Sequence, residues 1–526
     1  MARGLAATLC ALLVMGTAGE SRSLELAAVP FDLQAALDRA LAAGEKRIVV
    51  PPGRYRVTPK HGQHLRLENL TDIQIIADGV EMVCSETTRG IVFENCRSVR
   101  LQGLTIDYDP LPFTEARITA LAPDKSWVEF AILDGYPDHH LVERVEIFDP
   151  ATGELRRPDA AWAETFESLG GHRYRIAKRA GYRFDAAKDL EQVGDILVTN
   201  DAFPDDARGH AVWLERCTDV QLEDVTLYAS PLFGFAELQC AGVTYRRCRA
   251  DRRAPADDPV QRGFARLRSL DADAFHSTEA TRGPSILDCT AKFQGDDCVN
   301  IHGTYHLIVA ASGDRLRIVT PGRLTIEAGD PVEFLPFDGP RPPDAVAQGI
   351  EPDAPATDAE RAFIRGLSLH ADLKGRLLSA EAKVFRVTLD RTVALPPGSA
   401  IGSANRTGNG FVVQGCDFGH DRSRGILIKA SHGRVSGNRI TGTWSSAVLV
   451  APEYWWLESG SSCDVEIRGN TITACRATAI EVVARGGDGR PLPAGAHRDI
   501  RIDGNVITAS PAPTIRVEST EGESGR

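Results

Sequence analysis

Asp464-Val465-Glu466-Ile467-Arg468-Gly469-Asn470-Thr471-Ile472 alternates apolar and polar residues, turns at Gly-Asn and then alternates again. A period of two places Val465 and Ile467 on one face of a strand, and the Gly-Asn pair supplies the turn that ends it. The rhythm is shared by Gly433-Arg434-Val435-Ser436-Gly437-Asn438-Arg439-Ile440 and by Asp499-Ile500-Arg501-Ile502-Asp503-Gly504-Asn505-Val506-Ile507. One such unit cannot bury its own apolar face, whereas stacked copies build a continuous core, so the repeat predicts a solenoid.

Working toward the N-terminus, the pattern recurs in 67–76, 93–106 and 214–227, where Leu-Glu-Asn-Leu, Phe-Glu-Asn-Cys and Leu-Glu-Arg-Cys each precede an alternating strand. Ahead of these, Phe31, Leu33, Ala36, Leu37, Ala40 and Leu41 fall on one helical face between Asp32 and Gly44. The fold expected is therefore all-β: a right-handed parallel β-helix (solenoid) with an N-terminal capping helix.

Two stretches, 111–200 and 304–403, lose the Gly-Asn rhythm. Each carries a Gly-Asp followed by an apolar strand, Gly194-Asp195-Ile196-Leu197-Val198 and Gly329-Asp330-Pro331-Val332-Glu333-Phe334. They read as small β-barrel-like insertions, the second containing a mobile surface loop over 338–358. They divide the solenoid into 20–110, 201–303 and 404–510, with a frayed polar tail over 511–526.

Arg3, the apolar run from Leu5 to Met15 and the small residues Gly16, Thr17, Ala18 and Gly19 read as an export signal over 1–19. The run falls short of the ~20 residues a spanning helix needs. A secreted or periplasmic protein is expected, with no membrane association in its mature form. The net charge of −12 argues against a nucleic-acid partner, which calls for a basic stripe. Of the 11 cysteines, Cys10 leaves with the signal. The rest occupy equivalent places in the repeats, consistent either with buried thiol stacks or with disulfides. Oligomeric state is not legible.

The densest run of functional side chains is Ser269-Leu270-Asp271-Ala272-Asp273-Ala274-Phe275-His276-Ser277, followed by Phe293-Gln294-Gly295-Asp296-Asp297-Cys298-Val299-Asn300-Ile301-His302-Gly303. Asp296 follows Asp273 by 23 residues, close to one rung, so the motifs can stack on neighbouring coils. Crowded carboxylates titrate apart, which lets an acid and a base coexist near neutral pH. Glycoside hydrolysis needs that split: one carboxyl protonates the departing oxygen while another activates water. Turn-capping aspartates, or a calcium site, are the competing readings.

The order Asp273 to His276, Gly295 to Asp297, His302-Gly303 and Ile428-Lys429 resembles the polygalacturonases of glycoside hydrolase family 28. Leu427 stands where those enzymes carry an arginine that forks onto a uronate carboxylate, which favours a neutral sugar. The sequence more closely resembles the exo-acting α-1,3-galactosidases of glycoside hydrolase family 110, through Phe293 to Tyr305, Arg424 to Ser431 and Trp455-Trp456-Leu457-Glu458-Ser459-Gly460. That resemblance implies an inverting enzyme without metal or cofactor, acting on glycans with terminal α-linked galactose. It implies Asp296 as general acid, with Asp273 and Asp297 holding and deprotonating water. Expected sugar contacts come from His276, Asn300, His302, Lys429, Trp456 and Glu458, with Trp455 a second candidate ring. Inversion goes with an acid-to-base separation of about 6.5–9.5 Å. The alternatives are a polygalacturonase or other galactan-degrading hydrolase, a calcium-dependent β-helix lyase and a non-catalytic sugar binder.

Overall fold

The computed structural model describes residues 32–138, 145–157, 162–178, 190–200, 209–258 and 265–522. The stretch read as an export signal lies outside them. One coil shows how the chain is built: strand Phe275–Thr278, then Ser285–Leu287, then Thr290–Lys292. Each pairs in parallel with its equivalents one coil before and one coil after, which makes three stacks of strands and the architecture of a parallel β-helix. Along Phe275–Thr278, Phe275 and Ser277 point inward, and His276 and Thr278 point outward. The inward residues stack from coil to coil, the Phe275 and Phe235 rings lying 5.0 Å apart. They join a single apolar core running from Leu33 to Ile502.

Polar ladders run inside the same core. All ten cysteines among the described residues are free thiols, and Cys96, Cys217 and Cys240 occupy one stack. A second stack begins with Cys248, Cys289 and Cys416, then continues as asparagine: the Cys416 N–H donates to Asn438, Asn438 to Asn470 and Asn470 to Asn505. Each asparagine amide satisfies main-chain groups at a turn that would otherwise be left unpaired in the interior. The thiol-stack alternative is the one present.

Helix Leu33–Ala42 begins at Asp32, whose side chain accepts from the Ala35 N–H. Leu33 and Leu37 enter the core, and the Gln34 amide pairs with both the N–H and C=O of Arg66 on the terminal strand of its sheet. An otherwise open sheet edge is thereby occupied.

The first insertion leaves the solenoid after strand Arg100–Tyr108 and returns before Val212–Glu215. It is a seven-stranded antiparallel sheet whose two end strands, Leu155–Arg157 and Trp162–Gly170, are not paired with each other among the described residues. The second is a closed barrel. Strand Val299–Ser312 runs out of the solenoid and joins a ring with Arg315–Thr320, Lys383–Leu389, Ala345–Pro352, Pro331–Leu335 and Ala400–Ser403.

Two expectations are corrected. The segment 338–358 is not simply a loop: it supplies the barrel strand Ala345–Pro352 and the first residue of helix Asp358–Gly366, with Ala371–Leu378 a second helix. The strand's buried side chains are Ala345 and Ala347, small enough to escape an apolar-alternation reading. The helix is started by a Thr357/Glu360 capping box, a start signal legible in the sequence itself. Likewise 511–522 is not frayed, because Ile515–Val517 and Thr520–Glu521 pair with the preceding coil through main-chain bonds that side-chain composition does not report.

Candidate active site

The site occupies the corner where each coil turns from its third stack into the strand that begins the next. Register fixes what gathers there. Phe235, Phe275, Val299 and Ile426 are aligned across four coils. The residues two positions before them, Phe233, Asp273, Asp297 and Arg424, therefore form a column with the inter-strand spacing of roughly 4.8 Å. Asp296 sits beside Asp297 on the turn opened by Gly295. One carboxylate oxygen from each of Asp273, Asp296 and Asp297 lies within 4.8 Å of the others. Convergence is as expected, but the separation of about 6.5–9.5 Å associated with inversion is not found between these closest oxygens. Stacking on adjacent rungs imposes the shorter distance.

The three are not equally accessible. Asp273 is 4% and Asp297 1% exposed, whereas the Asp296 side chain retains 29%. Asp297 accepts from the Arg424 main-chain N–H and from its Nη2, each at 2.8 Å. Asp273 accepts from the Asp297 N–H at 3.2 Å and faces His276 Nδ1 at 2.7 Å. Asp296 is paired with Arg422 Nη2 at 2.9 Å. Burial pushes Asp297 up to about 7, against the pull of Arg424 and with the push of Asp273 and Asp296. Burial also raises Asp273, opposed by His276 and reinforced by Asp296. A fourth carboxyl, Asp421, lies fully buried behind them and is raised well above the carboxylate range by burial and by Asp297 and Asp296. The cluster therefore retains protons near neutral pH, as acid and base working side by side require.

The expected sugar-contacting residues divide into two groups. His276 points outward, stacked on Phe233 at 4.0 Å, with its Nε2 3.1 Å from His302 Nε2. His302 Nδ1 faces the Gly303 carbonyl at 2.7 Å, and a carbonyl only accepts, so Nδ1 carries the proton. His302 Nε2 is then an acceptor and His276 Nε2–H the donor, leaving His276 Nδ1 turned to Asp273. Burial lowers His302 to about 4, which keeps it neutral.

Asn300 and Lys429 are sealed in. Lys429 is fully buried, its Nζ donating to Asn300 Oδ1 at 3.0 Å and to Glu458 Oε2 at 2.6 Å. A hydroxyl approaching this side meets Glu458 and His276, with Lys429 and Asn300 fixing Glu458 from beneath. Burial alone would raise Glu458, but the Lys429 ammonium 2.6 Å away holds it below the usual carboxylate range.

Glu458 arrives because 458–459 pair antiparallel with Gly303 and Thr304. The turn beyond lies so close to the Lys429 carbonyl that only a glycine fits: Gly460 has φ +141 and a Cβ there would overlap that carbonyl. Trp455 and Trp456 are 48% and 39% exposed. One face of Trp456 is covered by His370 of the second insertion, ring to ring at 3.7 Å, leaving the other available. Asp271 does not join the carboxylates; it is buried against Arg268 at 3.2 Å.

Arg422, Arg424, Asp421 and Glu453 were not singled out from sequence. Glu453 lies 3.7 Å from Lys429 and 4.0 Å from Arg424, closing a ring of alternating charge around the site. Coil equivalence with Asp297 could have flagged Arg424; no comparable signal marks Glu453.

No family model matches the chain. α-1,3-Galactosidase B of Bacteroides thetaiotaomicron is 22% identical over 491 residues, spanning 84% of this chain and 72% of that protein. α-1,3-Galactosidase A of Bacteroides fragilis is 22% identical over 493 residues, spanning 84% and 74%. The chain resembles the α-1,3-galactosidases over most of its length. Among solved structures, the A-module of mannuronan C-5 epimerase AlgE6 from Azotobacter vinelandii aligns over 94% of this chain and 95% of its own, at 12% identity and a TM-score of 0.34.

Proposed function

We propose that this chain is a glycoside hydrolase that releases terminal α-1,3-linked galactose from glycans, acting from the chain end with inversion. The observation that carries the reading is the meeting of a partly accessible carboxyl, Asp296, with two nearly enclosed ones, Asp273 and Asp297, in one corner of the solenoid. Asp296 reaches solvent and is placed to protonate the departing glycosidic oxygen. The three carboxyls lie closer than the spacing usual for inversion, but Asp273 and Asp297 each have an oxygen committed to a fixed N–H donor, which suits holding a water better than swinging onto carbon as a nucleophile and is the reason for reading inversion. As that water attacks, its oxygen bonds to the anomeric carbon, the glycosidic bond breaks, and its proton passes to the Asp273/Asp297 pair. His276, bracketed by Asp273 and a neutral His302, fixes the Asp273 carboxyl for that transfer.

The cations of the site favour a neutral sugar. Arg422, Arg424 and Lys429 are each already paired with carboxylates, and Leu427 is 1% exposed. A uronate would meet acidic groups, and Arg422 and Arg424 are both already paired with carboxylates rather than free to fork onto it. Closure of one cleft end, which end-wise action needs, is assigned to the insertions, and Trp456 with Glu458 to recognition of the terminal galactose. The N-terminal run supports export, and the rule for parallel crossovers a right-handed coil.

Proton NMR of the reaction with an α-1,3-linked galactobiose tests all of this together. β-Galactose should appear first and mutarotate. α-Galactose as the initial product would replace inversion by a covalent mechanism. Turnover of polygalacturonate without galactoside cleavage, or an unsaturated product absorbing in the ultraviolet, would overturn the assignment.

A further inference from the structure

We propose that the first insertion is a working part of the catalytic centre, in which Glu146, acting through Arg422, sets how readily Asp296 holds the proton it delivers. The inference rests on the hydrolase reading above and assigns a positioning residue outside the solenoid.

Glu146 lies on strand Val145–Phe148 of the insertion and is 1% exposed. Its Oε1 is 3.5 Å from Arg422 Nε, while its Oε2 pairs with Nη2 of Arg268. Arg268 is itself fully buried and holds Asp271. Arg422 in turn donates from Nε to the Gly295 carbonyl at 2.6 Å and reaches Asp296 Oδ2 at 2.9 Å through Nη2. A continuous line of charges, Asp271, Arg268, Glu146, Arg422 and Asp296, thus joins the insertion to the proton donor. Topology explains the meeting: the insertion departs after the third-stack strand Arg100–Tyr108, at the same corner that carries the catalytic turns two to three coils on.

The arrangement answers a chemical difficulty. A guanidinium against a carboxyl favours the ionised form, the wrong state for a proton donor. A buried carboxylate on the other side of that guanidinium shares its charge and weakens its pull on Asp296. Among the described residues, the other charged groups around Asp296 include Asp273, Asp297, Asp421, Glu453 and Arg424. Among the described residues, those facing Glu146 include Arg268 and Arg422.

The test compares wild type, Glu146→Gln and Arg422→Gln on α-1,3-galactobiose and on α-galactosyl fluoride, whose leaving group departs without help from an acid. With Glu146→Gln on galactobiose, the basic limb of the kcat/KM profile should fall by on the order of one pH unit. The loss at pH 7 should be severalfold, up to about tenfold, on galactobiose and within about twofold on the fluoride, since only the former needs general acid catalysis. Arg422→Gln should move the same limb upward. A folded Glu146→Gln enzyme with an unmoved limb, or with equal losses on both substrates, overturns the proposal. If Glu146→Gln does not fold, an unmoved limb in Arg422→Gln does the same. Failure of the wild type to cleave either substrate would instead overturn the hydrolase reading.

Discussion

Replacing Arg424 by methionine isolates the electrostatics of Asp273 and Asp297, the pair proposed to activate water. The substitution removes the Nη2 donor 2.8 Å from Asp297 Oδ2 but keeps the main-chain N–H that bonds Oδ1, because that donor belongs to the backbone. Opposite charges centred about 4 Å apart interact by roughly 4 kcal/mol at an effective dielectric of ~20, equivalent to about three pK units. Asp297 stands at about 7 with Arg424 present, so without it the carboxyl should titrate near pH ~10. At pH 7 the ionised fraction then drops from about one half to roughly one in a thousand. A base must be ionised to act, so activity rises with pH through its pKa. The acid limb of kcat/KM should therefore shift upward, with a loss at pH 7 of roughly a hundred- to a thousand-fold that is partly recovered in alkali. Arg424→Lys, which retains a charge without the fork, should fall between. The assay is a full pH profile of each variant beside its thermal unfolding curve. A folded Arg424→Met protein with an unmoved acid limb would show that ionisation of Asp297 does not gate the reaction.

Three further outcomes are expected. Glu237 is buried beneath Ser277 and Tyr245 and raised by burial to about 7, above the 4.5 of a free glutamate. The folded state thus binds its proton more tightly, so the protein loses stability as pH rises from about 4.5 to about 7. Glu237→Gln, which cannot ionise, should raise the Tm more at pH 8 than at pH 4.5, and an equal shift at both would refute the linkage. Asn470 is fully buried and bonds Asn438, Asn505 and the Val435 carbonyl. Asn470→Ala should cost about 2–4 kcal/mol by denaturant unfolding, and a change below ~0.5 kcal/mol would mean the ladder is incidental. Finally, although the three clustered carboxylate oxygens are close enough for a cation to bridge them, Arg422 and Arg424 already supply positive charge to two of the carboxylates. Dialysis against a chelator should leave kcat/KM unchanged, and a loss restored by calcium would reverse that reading.

The coil was written in the sequence because a solenoid repeats its instructions: each unit such as 464–472 carries its own inward residues and its own Gly-Asn turn. The meeting of the three aspartates was legible for the same reason, since the two acidic motifs fall about one rung apart and stacking brings equivalent places together, although the register aligns Asp273 with Asp297 rather than with Asp296. What the sequence could not supply is contact between segments that share no repeat. Glu458 and Glu453 come from a loop that folds back beside Gly303 and Thr304, and Glu146 from an insertion more than a hundred residues upstream of Asp296. Nor could it show that Lys429 and Asn300 are covered, because burial at an outward-facing position depends on what is laid over it. Local pattern and repeat determined the scaffold and its three acids, whereas tertiary packing alone decided which charges surround them and hence which of them hold protons.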